Sequence, residues 1–101
     1  MDFEEIVQWT IEKFGQAQAL VYAETISMAI EALSEGPTTP GVKPRDEILK
    51  GLFSLHVARE RRKGSHFIMF QIVPDGEGDM IEVLRLLHDS MDLPRHFSSE
   101  D

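Results

Sequence analysis

The chain has 101 residues, which suits a single compact domain spanning residues 1–101. It contains no cysteine, so neither a disulfide framework nor a thiolate zinc site can form. Its formal net charge of −8 disfavours general affinity for nucleic acid, because phosphate backbones repel an acidic surface.

The first part of the chain predicts two amphipathic helices. Residues 2–14 place apolar side chains at steps of three and four, which lines one face of a helix, and Gly15 can end it in a left-handed conformation. Residues 16–35 give a second helix with a broad apolar face, and Gly36 followed by Pro37 ends it. Because the link at Gly15 is very short, we expect an antiparallel helical hairpin.

Three strands are predicted in the second half. Residues 37–47 contain three prolines and predict an irregular loop. Residues 52–58 and 65–73 flank a turn and predict a β-hairpin, and residues 80–87 are rich in β-branched and aliphatic side chains. The helical hairpin and the three-stranded antiparallel sheet each have one apolar face, which is buried when the two pack together. We therefore predict a two-layer α+β domain.

The chain carries no sign of export or membrane insertion. Residues 1–5 are acidic and lack the basic region and apolar run of a signal peptide. No apolar stretch is long enough to cross a bilayer. Together with the lack of cysteine, this favours a cytoplasmic protein without a membrane partner.

Four segments at the joints of this pattern look like family signatures. They are residues 2–6 leading into Phe14-Gly15, the loop 36–43, residues 51–57, and residues 81–93 with their Leu-His-x-x-Met-Asp ending. In this order they resemble the RelE/ParE toxin superfamily, and the ParE-like, plasmid-stabilisation branch in particular. The resemblance covers essentially the whole chain.

The start of the chain departs from that family pattern. Family members usually begin with a short strand before the first helix, whereas this sequence starts where the helix starts. A sheet without that strand has unpaired backbone groups along an edge, which a partner's extended segment or a second copy could fill. A start codon assigned too late is the alternative explanation.

The resemblance implies the toxin component of a type II toxin–antitoxin system. ParE-like members bind and poison DNA gyrase without enzymatic chemistry, and a ParD-like antitoxin neutralises them by wrapping its C-terminal segment around the toxin. We therefore expect a non-enzymatic protein that forms a hetero-oligomer with its antitoxin. We expect no cofactor and no direct contact with nucleic acid, and DNA gyrase is the candidate target.

Two other functions stay open. RelE-like members cleave ribosome-bound mRNA, which needs acid–base groups and cations around the phosphate. Arg59, Arg85 and His88 could supply part of such a set, but the only tyrosine, Tyr22, is far from the C-terminus. The net charge also opposes docking on RNA. The remaining alternative is a ParE-like interaction module without toxicity.

The candidate partner-binding residues fall in three places. Arg59 and Arg62 lie at the predicted hairpin tip, where solvated charges are also common. Met69 is either a core residue or part of an apolar patch on the outer sheet face. The last strand and the following tail contribute the remaining candidates, Arg85, His88, Met91 and Leu93.

Two further features have a structural and a functional interpretation. His56, His66, His88 and His96 are scattered and lack metal-ligand spacing, so we expect ordinary sheet or tail histidines and no metal. Trp9 falls off the main apolar face of the first helix. We expect the loop 37–47 to cover it, with a role as an interface anchor as the alternative.

Overall fold

The first layer of the fold is a helical hairpin, as predicted. The computed structural model describes residues 2–74, 76 and 78–91. In it, α1 spans Asp2–Phe14 and α2 spans Gln16–Ala32. Gly15 joins them with a φ of 93°, and its N–H donates to the Ile11 carbonyl at 2.9 Å. Neither helix is both long and apolar enough to cross a membrane.

The second helix ends earlier than predicted. A 3-10 segment, Leu33–Thr38, follows α2 directly and contains a left-handed Gly36 with a φ of 74°. The Thr39 hydroxyl lies 3.0 Å from the Ala32 carbonyl and 2.7 Å from the Gly36 carbonyl, so it satisfies acceptors that the helix end leaves open. The tighter turn keeps Leu33 buried in the core.

The second layer is an antiparallel sheet with the strand order β1-β2-β3-β4. Its strands are β1 (Lys43–Pro44), β2 (Phe53–His56), β3 (His66–Pro74) and β4 (Asp79–His88). The last three are the predicted strands. The two-residue β1 lies in the segment predicted to be irregular. Pro44 is tolerated there because β1 is an edge strand and its free side needs no N–H.

Both faces of the sheet are covered, whereas the prediction assigned it a single apolar face. On the helix side, the buried cluster contains Ile26, Leu33, Leu55, Ile68 and Phe70. On the outer face, Leu52, Met69 and Leu87 form a second cluster, against which Ile48, Phe67 and Leu84 pack. Ile48 and Leu52 belong to the segment between β1 and β2, so this segment folds over the outer face.

Arg45 holds that covering segment in place. Its Nε donates to the buried Ser54 hydroxyl at 2.8 Å, and its guanidinium lies 5.4 Å from the centre of the Phe67 ring. The backbone N–H of Gly51 also donates to the Asp46 carboxylate at 2.9 Å. The chain itself therefore covers the outer face of the sheet around Met69 and Leu87.

Candidate interaction surface

The structure brings three of the predicted partner-binding residues together. Arg85, His88 and Met91 line one cavity of about 410 Å³ at the C-terminal end of β4, which we call the β4-end cavity. Trp9 from α1 and His66 from β3 also line it. Leu93 lies outside the described residues.

Met69 is unavailable as a contact residue in this arrangement. Its side chain is fully buried, because the segment between β1 and β2 covers the outer face on which it lies. A partner could reach it only if that segment moved away. Met69 is therefore a core residue of the cluster that it forms with Leu52 and Leu87.

Arg62 has a structural role that the sequence did not reveal. Its Nε donates to the Thr25 hydroxyl at 2.8 Å, and its Nη2 donates to the Val21 carbonyl at 3.1 Å and to the Glu24 carboxylate at 3.0 Å. All three acceptors belong to α2. Arg62 therefore fastens the β2–β3 connection to the helical hairpin, while Arg59 lies half-buried in the same connection.

A tight turn lies directly before Arg62 in the β2–β3 connection. Glu60 and Arg61 have positive φ values of 53° and 68°, which non-glycine residues adopt infrequently. The N–H of Arg62 closes the turn by donating to the Arg59 carbonyl at 2.8 Å. The turn leaves the side chains of Arg61 and Lys63 exposed.

A wide opening lies along the helical hairpin, and we call it the hairpin groove. It has a volume of about 800 Å³, and Trp9, Phe14 and Val21 line it on the helix side. These side chains are 48%, 64% and 50% exposed. Arg61 and Lys63 line it on the side of the β2–β3 connection. The groove thus combines apolar anchors with a basic border on an acidic protein.

Trp9 is not covered by the loop 37–47, and that prediction is wrong. Its ring packs edge-on against Phe14, with centroids 5.8 Å apart, and it lines both the hairpin groove and the β4-end cavity. A half-exposed tryptophan between two openings is typical of an interface anchor. Its position off the main apolar face of α1 was the sequence signal for this role.

Three histidines that look scattered in the sequence lie together at one end of the sheet. His66 pairs with His88 across β3 and β4, with ring centroids 5.2 Å apart. His56, on β2, reaches the same end through Asp89, because its Nε2 lies 2.9 Å from the Asp89 carboxylate. Among the residues that the structure describes, no three potential metal ligands are placed to hold an ion.

Backbone hydrogen bonds indicate the tautomers of His56 and His88. The Nδ1 of His56 accepts the Ala58 N–H at 3.1 Å, and the Nδ1 of His88 accepts the Ser90 N–H at 3.1 Å. A nitrogen that accepts a backbone N–H carries no proton, so each of these rings bears its proton on Nε2. The Nε2–H of His56 therefore donates to Asp89, and this bond lowers the pKa of that carboxyl.

His66 is a buried histidine whose pKa is lowered. Burial, together with the neighbouring His88, lowers its pKa to about 4. The Tyr22 hydroxyl accepts the Ser65 N–H at 3.0 Å and lies 2.6 Å from the Nδ1 of His66. The direction of the bond between the hydroxyl and the ring depends on which ring nitrogen of His66 carries the proton. No local sequence pattern indicates this contact, because Tyr22 lies on α2 and His66 on β3.

Comparison with known proteins identifies the family of the chain. The model of the family described as ParE toxin of type II toxin-antitoxin system, parDE, matches residues 1–93. Toxin ParE1 of Caulobacter vibrioides (strain ATCC 19089 / CIP 103742 / CB 15) is 28% identical over 95 residues, which cover 94% of this chain and 85% of that protein. On the strength of the family match across residues 1–93, the chain belongs to the ParE toxin family of type II toxin–antitoxin systems.

Proposed function

We propose that this protein acts in the cytoplasm by binding and inhibiting DNA gyrase, without enzymatic chemistry of its own. In this proposal a ParD-like antitoxin neutralises it in a hetero-oligomeric complex. Family membership supports an antitoxin partner. The name of the relative Toxin ParE1 supports a toxic activity.

The hairpin groove is the observation that carries the proposal of protein binding. Half-exposed Trp9, Phe14 and Val21 offer large apolar side chains, which contribute most of the binding energy at protein interfaces when they are buried. The exposed Arg61 and Lys63 at its border favour an acidic partner segment. We place the antitoxin in this groove.

Gyrase inhibition is tested with the purified chain and purified gyrase. We expect loss of supercoiling and accumulation of cleaved DNA complexes, and we expect a ParD-like antitoxin to reverse both. Folded protein without any effect on gyrase at high concentration would refute the target. Harmless expression in cells would then favour a non-toxic interaction module.

The groove is tested with a matched pair of variants on α2. Val21 lines the groove and is 50% exposed, whereas the adjacent Leu20 is 73% exposed and does not line it. We expect V21A to weaken antitoxin binding about tenfold, which corresponds to the loss of a contact of about 1.4 kcal/mol, and L20A to leave it unchanged. Titration calorimetry measures both. Equal effects of the two variants would place the antitoxin elsewhere.

A ribonuclease is the second candidate function, since Tyr22, His66 and His88 come together near Asp89. Three observations favour the binding function over it. His66 is buried with its pKa near 4, the Tyr22 hydroxyl is engaged by two partners, and the net charge is −8. Primer extension on mRNA from expressing cells tests it. New 5′ ends that disappear in H88A would establish this activity.

A further inference from the structure

Strand β4 lies at the edge of the sheet. It is 10 residues long, it comes last in the strand order, and β3 pairs with it along one side. In the described part of the chain, no strand lies along its other side. Its side chains Met80, Glu82 and Val83 are exposed. A long, exposed edge strand can pair with a strand of another chain.

A shift in register changes which side chains share a face of this strand. Phe70 is opposite Val83 and Met69 is opposite Arg85, so Leu84 is an extra residue in β4. Residues that are directly opposite in an antiparallel pair lie on the same face of the sheet. Val83 therefore lies on the helix side with Phe70, and Arg85 lies on the outer face with Met69.

Glu82 also lies on the outer face. It is opposite Gln71, which is two residues from Met69 and therefore on the same face of β3. In a regular strand, residues three apart point to opposite faces. The extra residue thus places exposed Glu82 and exposed Arg85 on one face, with Val83 between them on the other.

These positions make β4 complementary to itself. If two β4 strands run antiparallel about a twofold axis through Val83, Glu82 of each copy lies opposite Arg85 of the other. Both side chains are then on the outer face of the combined sheet, and opposite charges across two strands stabilise their pairing. Charges and bulges ordinarily discourage pairing at an edge, but in this register both of them match.

An apolar cavity adjoins the same part of the edge. It has a volume of about 480 Å³, and Phe3, Ile30 and Val83 are among the residues that line it. Ile30 is 37% exposed and Val83 is 39% exposed. A twofold axis perpendicular to the sheet places the helices of both copies on the same side. The cavities of the two copies therefore meet beside the axis, where burial of these side chains favours association.

We propose that a second copy of this chain binds along β4, so that two four-stranded sheets join into one with Val83 on the twofold axis. Pairing along one strand gives a small interface, so the dissociation constant of the dimer is on the order of 10 µM. The residues that line the hairpin groove lie outside β4. The dimer is therefore independent of the proposed antitoxin site.

Disulfide trapping tests the position of the axis. The chain contains no cysteine, so V83C can form a disulfide only between two copies. Opposed residues of antiparallel strands have Cα atoms about 4.5–5.5 Å apart, which suits a disulfide. M80C is the matched control on the same strand, because copies of a residue three positions from the axis lie about 20 Å apart. We expect mild oxidation to link V83C and to leave M80C monomeric. Equal linking of the two variants would overturn the proposal.

Charge exchange tests the register by sedimentation equilibrium of the full chain. E82R and R85E should each weaken the dimer about tenfold, because every dimer contains this pair twice. The double variant E82R/R85E restores opposite charges and should return to within about threefold of the native protein. Circular dichroism checks that each variant is folded, and the cysteine pair tests the contact without changing Arg85. A native chain that stays monomeric up to about 1 mM refutes the proposal. So does a double variant that is no tighter than the single ones.

Discussion

Substitution of Gly64 by alanine should destabilise the protein through the contact between α2 and the sheet. A Cβ at this position would overlap Cγ2 of Val57 and would lie 3.2 Å from Cε1 and 3.3 Å from the hydroxyl oxygen of Tyr22. Val57 is 1% exposed, so a displacement of its side chain would disturb buried packing. Overpacking of this kind destabilises by about 1–3 kcal/mol.

Displacement of Tyr22 would add to that effect. Its hydroxyl holds the Ser65 N–H and the His66 ring, and each such bond contributes about 0.5–1.5 kcal/mol. A shift of Tyr22 would relieve part of the overlap, so the two costs are not fully additive. We therefore expect G64A to lower the free energy of unfolding by about 2–4 kcal/mol in total. Urea-induced unfolding followed by circular dichroism measures this difference.

Gly78 provides the matched control. It has no positive φ and no neighbouring heavy atom within 4 Å of an added Cβ, so G78A should stay within about 0.5 kcal/mol of the native protein. V57A removes the methyl group that overlaps the new Cβ. The double variant G64A/V57A should therefore be destabilised by less than the sum of the two single variants. A G64A protein as stable as G78A would refute the proposed packing.

Four further substitutions are tested by unfolding measurements. R62A should destabilise by about 1–3 kcal/mol because it leaves its α2 acceptors without their donor, whereas R61A at an exposed site should stay within about 0.5 kcal/mol. M69A should destabilise by about 2–5 kcal/mol, and weakened binding without lost stability would contradict its core position. Because burial lowers the pKa of His66 to about 4 from 6.5, the unfolded chain binds the proton first on acidification. Stability should therefore fall between these pH values, by up to about 1.4 kcal/mol per pH unit, and H66Q should flatten the slope.

Local sequence patterns were sufficient to predict the helices and the three main strands. The spacing of apolar residues in α1 and the glycine after it are properties of adjacent residues, so they are visible without the fold. The two-residue β1 was missed because it exists only through pairing with β2. The end of α2 was misplaced because Thr39, beyond the helix, supplies the bonds that terminate it.

The candidate surface was less accessible to sequence analysis, since it depends on contacts between distant elements. Arg62 was a candidate partner contact at the hairpin tip, with an ordinary solvated charge as the alternative, but three acceptors on α2 engage it. The approach of His66 to His88 depends on the register of β3 and β4. That register shifts between Met69 and Phe70, and no local sequence pattern predicts the shift.

The exposed apolar side chains of the described residues are unevenly distributed between the two sides of the molecule. On the outer sheet face, Leu52 and Ile48 cover the region around Met69 and Leu87. Most of the large exposed apolar residues in the described part of the chain lie instead on the two helices, among them Trp9, Phe14, Leu20, Val21, Met28 and Ile30. A partner that buries apolar surface therefore gains most on the hairpin side. Trp9 lies where the hairpin groove meets the β4-end cavity, so one partner segment can contact both openings.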